Sequence, residues 1–190
     1  MNHTPNTPAA SRINTKQMAL IALVTALTCI ISPFTVPIPL SPVPLSLATL
    51  VFYISIFILG YKAATLSCVI YLLIGFAGLP VFSGFGSGLA KLAGPTGGYL
   101  FGYLFLTLIA GFFVEKFQGK YRYFFYGVGM VCGTAVMYTF GTLYLAWQLD
   151  LTFLQGLAAG VIPYLPGDTL KIVIALIFGP MLKKRLAMIQ

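Results

Sequence analysis

Between Lys16 and Glu115 this chain carries only two charges, Lys62 and Lys91. A soluble domain keeps its surface in water with charged side chains, which make up about a quarter of its residues. Here 7% are charged and 59% are hydrophobic. Such a chain cannot cover itself with a water-compatible surface, and its long apolar runs suit a bilayer. In hydrocarbon every backbone N–H and C=O has to be paired inside the protein, which a helix achieves segment by segment. The expected fold class is an all-α integral membrane protein.

The punctuation of the apolar runs predicts six transmembrane helices. Residues 1–15 are polar without an apolar period and read as a disordered cytoplasmic tail, which leaves 16–190 as a single six-helix membrane domain. The first span runs from Gln17 to Ile31. It follows Arg12 and Lys16 as a signal peptide would, but no small-x-small cleavage pattern follows it, so it reads as an uncleaved span. The second span is expected over Leu45–Leu59 and the third over Ala63–Ala77, with a tight turn at Gly60-Tyr61-Lys62. The fourth is expected over Gly98–Val114 and the fifth over Tyr123–Trp147, with Tyr144 and Trp147 as interfacial anchors. The sixth runs from about Pro163 to Lys183-Lys184-Arg185. Residues 153–162 read as a short surface helix. Pro33, Pro37, Pro39, Pro42 and Pro44 forbid a helix between the first two spans, leaving an uncharged segment that is either a stiff connector or a lid.

Charge then sets the orientation. With the N-terminus in the cytoplasm, Arg12, Lys16, Lys62, Lys116, Lys120, Arg122, Lys183, Lys184 and Arg185 all fall on the inner side. Lys91 alone falls outside, so both termini are expected to be cytoplasmic. The net charge of +8 therefore reads as a topology signal, and no nucleic-acid partner is expected. Cys29, Cys68 and Cys132 lie in apolar runs without metal or redox spacing and read as small buried hydrophobes. His3, the one histidine, sits in the tail, so no metal site is expected. No GxxxxGK[ST], HExxH or GxSxG occurs, and with three acidic residues in all, most enzyme chemistries lack their parts.

What remains for chemistry is sparse. Asp168 and Lys171 are the two charges inside a span, three residues apart on one helix face. A charge near the bilayer centre costs about 2.5–3.5 kcal/mol on insertion scales, so ionisable residues there default to function. Their pattern fits a polar ligand near the outer surface, the carboxylate accepting N–H donors and the ammonium donating to oxygen. The alternatives are that Asp168 caps the helix or that the two charges merely neutralise each other. Lys91 is either the partner of a distal ligand carboxylate or a solvated lysine. Gly97 and Gly98 strip side chains from the start of the fourth span, and Gly98 with Gly102 forms a small-xxx-small seam that suits packing or ligand approach. Ala22 and Ala26 form a second such pair, for contact within the chain or with a partner protein.

Four features together resemble one family: Gly94-Pro-Thr-Gly-Gly-Tyr-Leu-Phe-Gly-Tyr103, the proline-rich first outward segment, Pro166-Gly-Asp-Thr-Leu-Lys171, and Ala22-x-x-x-Ala26. The chain after its tail is similar to the BioY proteins, the biotin-specific substrate-binding (S) components of energy-coupling factor (ECF) transporters. The resemblance implies six helices, a biotin site near the outer leaflet closed over by loops, no cofactor, and residence in the cell membrane as a multi-pass protein. It implies partnership with a transmembrane coupling subunit and two ABC-type ATPases, with Ala22 and Ala26 facing the coupling subunit, and no catalytic activity of its own. It also implies that the S component topples in the membrane to deliver biotin inward. On that footing Asp168 would accept from a ureido N–H, and Lys171 would meet the ureido carbonyl or the carboxylate. Lys91 remains the candidate for the tail, Gly97 and Gly98 would form a backbone wall, and Tyr99 and Tyr164 would form aromatic walls.

Overall fold

The computed structural model describes residues 14–36 and 43–189. The expected tail, Arg12, His3 and Pro37, Pro39 and Pro42 lie outside the described residues. The regular elements of the described chain are mostly helices, with one small two-stranded ribbon: α1 (Thr15–Ile31), β1 (Thr35–Val36), β2 (Leu45–Ser46), α2 (Ala48–Phe76), α3 (Gly88–Leu92), α4 (Gly97–Lys116), α5 (Arg122–Gln148), α6 (Phe153–Gly160) and α7 (Leu165–Ile189). Four stretches within it are long and apolar enough to cross a membrane, and α1 is a shorter apolar helix.

α2 holds the second and third expected spans, except that the second begins at Ala48 rather than Leu45 because Leu45 and Ser46 pair in β2, and it is not one rod. The rings of Phe52 and Tyr71 lie 5.9 Å apart, whereas the intervening stretch of unbroken helix would hold them about 28 Å apart. The chain reverses between them at Gly60, whose φ of 76° and ψ of 170° break the helix. That backbone region is open essentially to glycine alone. Tyr61 N–H, at the start of the returning half, donates to the Glu115 carboxylate at the end of α4, at 3.5 Å. The tight turn read from Gly-Tyr-Lys is therefore a helical hairpin.

Close glycine contacts set the packing of the other helices. A Cβ on Gly98 would stand 2.5 Å from the Cβ of Tyr144, and one on Gly102 would stand 2.7 Å from Met137 Cγ. These distances are shorter than carbon atoms tolerate, so α4 and α5 are pressed together along the Gly98–Gly102 seam. A Cβ on Gly179 would lie 2.1 Å from the ring of Phe57, bringing the far end of α7 onto the first half of α2. α1 joins the bundle through polar contacts: Thr25 and Ser67 hydroxyls pair at 2.8 Å, and Ser32 and Tyr71 hydroxyls at 2.5 Å.

Several expectations shift in detail. α7 begins at Leu165, preceded by a 3-10 turn over Ile162–Tyr164 that holds Pro163, and it runs past Lys183-Lys184-Arg185. Residues 153–160 form the short helix α6, started by a capping box between Thr152 and Gln155. The proline-rich stretch is flanked by an antiparallel ribbon pairing Thr35 with Ser46 and Val36 with Leu45, which no alternation in the sequence announced. Cys68 is buried as expected, but Cys132 is exposed on α5 and Cys29 is intermediate. Trp147 is 73% exposed, as suits an anchor at the membrane boundary.

Candidate functional site

Lys62, Glu115 and Lys183 border one groove around Gly60, at the basic end of the bundle. Asp168 and Lys171 lie toward the opposite end. Pro166 and Gly167 occupy the first turn of α7, and Asp168 follows them within that turn, where a carboxylate is favoured by the helix dipole. Its side chain does not cap the helix. One carboxylate oxygen accepts from Lys171 Nζ at 2.7 Å, and the other accepts from the Tyr138 hydroxyl of α5. Lys171 also donates to the Ser46 carbonyl at 2.6 Å and to Thr49 Oγ1 at 3.0 Å. Asp168 is 6% exposed and Lys171 5%. The pair does neutralise itself, and it does so inside a cavity rather than in a packed core.

That cavity has a volume of about 40 Å³. Its roof is the segment Val43–Ser46, which includes β2. Its walls are Thr49 of α2, Tyr99 and Tyr103 of α4, Met137 and Tyr138 of α5, and Gly160 at the end of α6. Its floor is Tyr164, Asp168 and Lys171. Tyr164 donates its hydroxyl to the Val43 carbonyl of the roof. Tyr99 reaches the Gly160 carbonyl at 3.2 Å and Thr142 at 3.3 Å, so its ring is fixed where α4, α5 and α6 meet. The lining therefore joins an ion pair to aromatic and apolar surface, the composition of a small-molecule site.

Of the residues singled out from the sequence, the structure gathers Asp168, Lys171, Tyr99 and Tyr164 around one cavity. It does not gather Lys91, Gly97 and Gly98 there. The Lys91 stem lies against Gly86, and partial burial holds its ammonium below the ordinary lysine range. A Cβ on Gly97 would stand 1.8 Å from the Leu92 carbonyl oxygen, so Gly97 serves the turn into α4, while Gly98 serves the packing of α4 on α5. Neither glycine is a wall of the cavity in this structure, because both face protein rather than open space. Ser46, Thr49, Tyr103, Met137 and Tyr138 escaped the sequence reading. One signal was present: Thr134, Tyr138 and Thr142, all buried, form a polar stripe at four-residue spacing along an otherwise apolar α5. Among the described residues no group of three metal-ligating side chains occurs.

Ala22 and Ala26 are exposed. α1 packs onto the bundle with Ile21, Val24, Thr25 and Thr28 instead. The two alanines line an apolar groove of about 440 Å³ between α1 and the returning half of α2, beside Met18, Leu66, Ile70 and Ile74. The alanine pair is thus not an internal helix contact.

Comparison with known proteins agrees with this architecture. The pattern of the BioY family matches residues 3–188. The biotin transporter BioY of Thermotoga maritima is 35% identical over 149 residues, covering 78% of this chain and 86% of that one. The probable biotin transporter BioY of Pyrococcus horikoshii is 35% identical over 168 residues, covering 88% and 96%. The crystal structure of the S-component for biotin from an ECF-type ABC transporter superposes with a TM-score of 0.82 at 27% identity, covering 93% of this chain and 95% of that one. A family pattern spanning nearly the whole sequence, relatives alike along most of their length and a shared fold carry the same conclusion: the chain belongs to the BioY family.

Proposed function

We propose that this protein binds biotin with high affinity and carries it into the cell as the S component of an ECF-type ABC transporter. The observation that carries this reading is the buried Asp168–Lys171 pair set in an aromatic cavity at one end of a membrane bundle. Biotin offers matching chemistry. Its ureido ring has two N–H donors and a carbonyl, and its thiophane ring and valeryl chain are apolar. Asp168 accepts one hydrogen bond on each oxygen, so half of the lone-pair sites of its carboxylate remain for ureido N–H groups. Lys171 meets the ureido carbonyl or the carboxylate, and Tyr99 and Tyr164 flank the rings. Tyr138 and Thr49 hold the two charged groups in place.

The membrane setting is part of the same proposal. The hairpin at Gly60 splits α2 into two passes, which with α1, α4, α5 and α7 makes six in the 16–190 domain. The basic end is cytoplasmic, with both termini there, and the cavity lies near the outer face of the cell membrane. The sequence has no GxxxxGK[ST] motif, and in this proposal two ABC-type ATPases supply the energy through a transmembrane coupling subunit. That subunit seats on the groove bearing Ala22 and Ala26. No cofactor is required. Isothermal titration of the purified protein with biotin tests the core of the reading. Saturable heat at one biotin per chain is expected, and no heat above the blank from protein of native helicity would refute it.

A further inference from the structure

Two grooves meet at the basic end of the bundle, where α1, the reversal of α2 and the end of α7 come together. They measure about 430 Å³ and about 400 Å³ and share Gln17, Ile58 and Leu59, so they form one trough. Three lysines from those three elements border it: Lys16 of α1, Lys62 beside the reversal, and Lys183 of α7. All three are exposed. Among the described residues none of them has a carboxylate within ion-pair distance, since the one such pair is Lys171 with Asp168. Glu115 is the single acid on the rim, and its carboxylate accepts from Tyr61 N–H. The rest of the lining is largely apolar, with Ile58, Leu59 and Leu186 half-buried. The position of Lys183 follows from packing. Gly179 presses onto Phe57, and Lys183 and Leu186 continue that face of α7 one and two turns further on.

We propose that this trough holds one anionic phospholipid of the cytoplasmic leaflet, its phosphate among Lys16, Lys62 and Lys183 and its acyl chains along Ile58, Leu59 and Leu186. The chemistry of the trough selects this occupant. A cationic rim on an apolar lining matches an amphiphile with a negative head. A free phosphate would use the lysines and leave the apolar lining wet. An acidic peptide would bring backbone N–H and C=O groups that need partners, and beyond Asn14 and Gln17 the lining has no neutral polar side chain to offer. A membrane supplies lipid at this depth, and basic pockets between transmembrane helices on the cytoplasmic side are a recurring seat for anionic headgroups. The choice of leaflet rests on the cytoplasmic orientation proposed above, whereas the lipid contact itself does not depend on biotin. One phosphate met by lysines from three separate elements would tie the first helix, the hairpin tip and the last helix together, so the lipid serves as a structural ligand.

Native mass spectrometry of the full chain released from a neutral detergent gives the test, with dioleoylphosphatidylglycerol and dioleoylphosphatidylcholine as probes. One phosphatidylglycerol per chain is expected to bind about tenfold or more tightly than phosphatidylcholine. A lysine beside an anionic headgroup is worth about fivefold, so Lys62→Gln combined with Lys183→Gln should weaken phosphatidylglycerol about 25-fold and leave phosphatidylcholine unchanged. Lys120→Gln combined with Arg122→Gln removes the same charge from exposed positions around the start of α5, outside the trough, and should leave both lipids as in the wild type. Exposed positions of this kind tolerate substitution, and circular dichroism checks the fold of each variant. Equal binding of the two lipids by the wild type overturns the proposal. An equal loss in both double variants also overturns it, by making the attraction a matter of overall charge. Displacement of the lipid by excess glycerol phosphate overturns it in favour of a free-anion site. Detergent has no sides, so the result does not depend on orientation. Calorimetric titration of the same samples with biotin keeps the readings apart: loss of the lipid preference beside normal biotin heat removes the trough alone.

Discussion

Neutralising the Asp168–Lys171 pair one charge at a time separates what it does for the fold from what it does for the ligand. Both residues are about nineteen-twentieths buried, and Nζ lies 2.7 Å from the carboxylate. Breaking a buried pair by removing one member costs about 3–5 kcal/mol, because the survivor is left uncompensated. Asp168→Asn should fall at the low end, about 3 kcal/mol, for two structural reasons. Lys171 keeps the Ser46 carbonyl and Thr49 as acceptors, and the asparagine carbonyl can still receive the Tyr138 hydroxyl. Lys171→Met should cost at least as much, since it strips Asp168 of the cation it is paired with. In a chain of this length about 3 kcal/mol corresponds to a fall in Tm of roughly 6–12 °C. The double variant has no uncompensated charge and a thioether of similar length in place of the ammonium, so it should be more stable than either single variant. Biotin binding should be lost or strongly weakened in all three. The assays are thermal unfolding by circular dichroism in one detergent and calorimetric titration of the same samples. Single variants that melt with the wild type, or a double variant whose loss is the sum of the singles, would refute the reasoning by showing that the two charges are not coupled across a dry contact.

Other positions test other parts of the structure. Gly60→Ala forces a side chain into the backbone region that reverses α2, and should destabilise the fold by about 1–3 kcal/mol as read by thermal unfolding. Gly98→Ala drives a methyl to within 2.5 Å of Tyr144, and should cost about 1–3 kcal/mol by overpacking the α4–α5 seam; a melting temperature equal to wild type would remove the seam from the packing account. Ala22→Leu and Ala26→Leu change an exposed groove, so stability should move by no more than about 0.5 kcal/mol. Biotin binding should persist in both, while co-purification with the coupling subunit fails.

What could be read from the sequence depended on rarity. Charges are so few that Asp168 and Lys171 stood out, and the three residues Gly60, Tyr61 and Lys62 marked a reversal that the backbone of Gly60 carries out. Tyr138 could not be chosen in the same way. It is one of eleven tyrosines, and its role exists only because α5 brings it beside a carboxylate thirty positions away. The roof acceptors Ser46 and Val43 act through backbone carbonyls, which every residue possesses and no sequence pattern marks. Glycines misled in the opposite direction. Gly97 and Gly98 read equally well as openings for a ligand or as places where chains press together, and only the identity of the neighbour, Leu92 or Tyr144, separates the two.

Tyr99 carries a consequence for how such a cavity changes over generations. Its ring lies against Gly141 and its hydroxyl against Gly160, so closely that a methyl on either would stand 2.3 or 2.2 Å from it. Neither glycine has a side chain to offer a ligand, yet both determine how far the tyrosine sits back from the chamber it lines. A heavier residue at position 141 or 160 would push the ring inward and narrow the space, while a smaller residue at 99 would free both glycines to vary. The calibre of the chamber is thus recorded at positions outside the charged pair, and selection for a bulkier or slimmer cargo could act there while Asp168 and Lys171 stayed as they are.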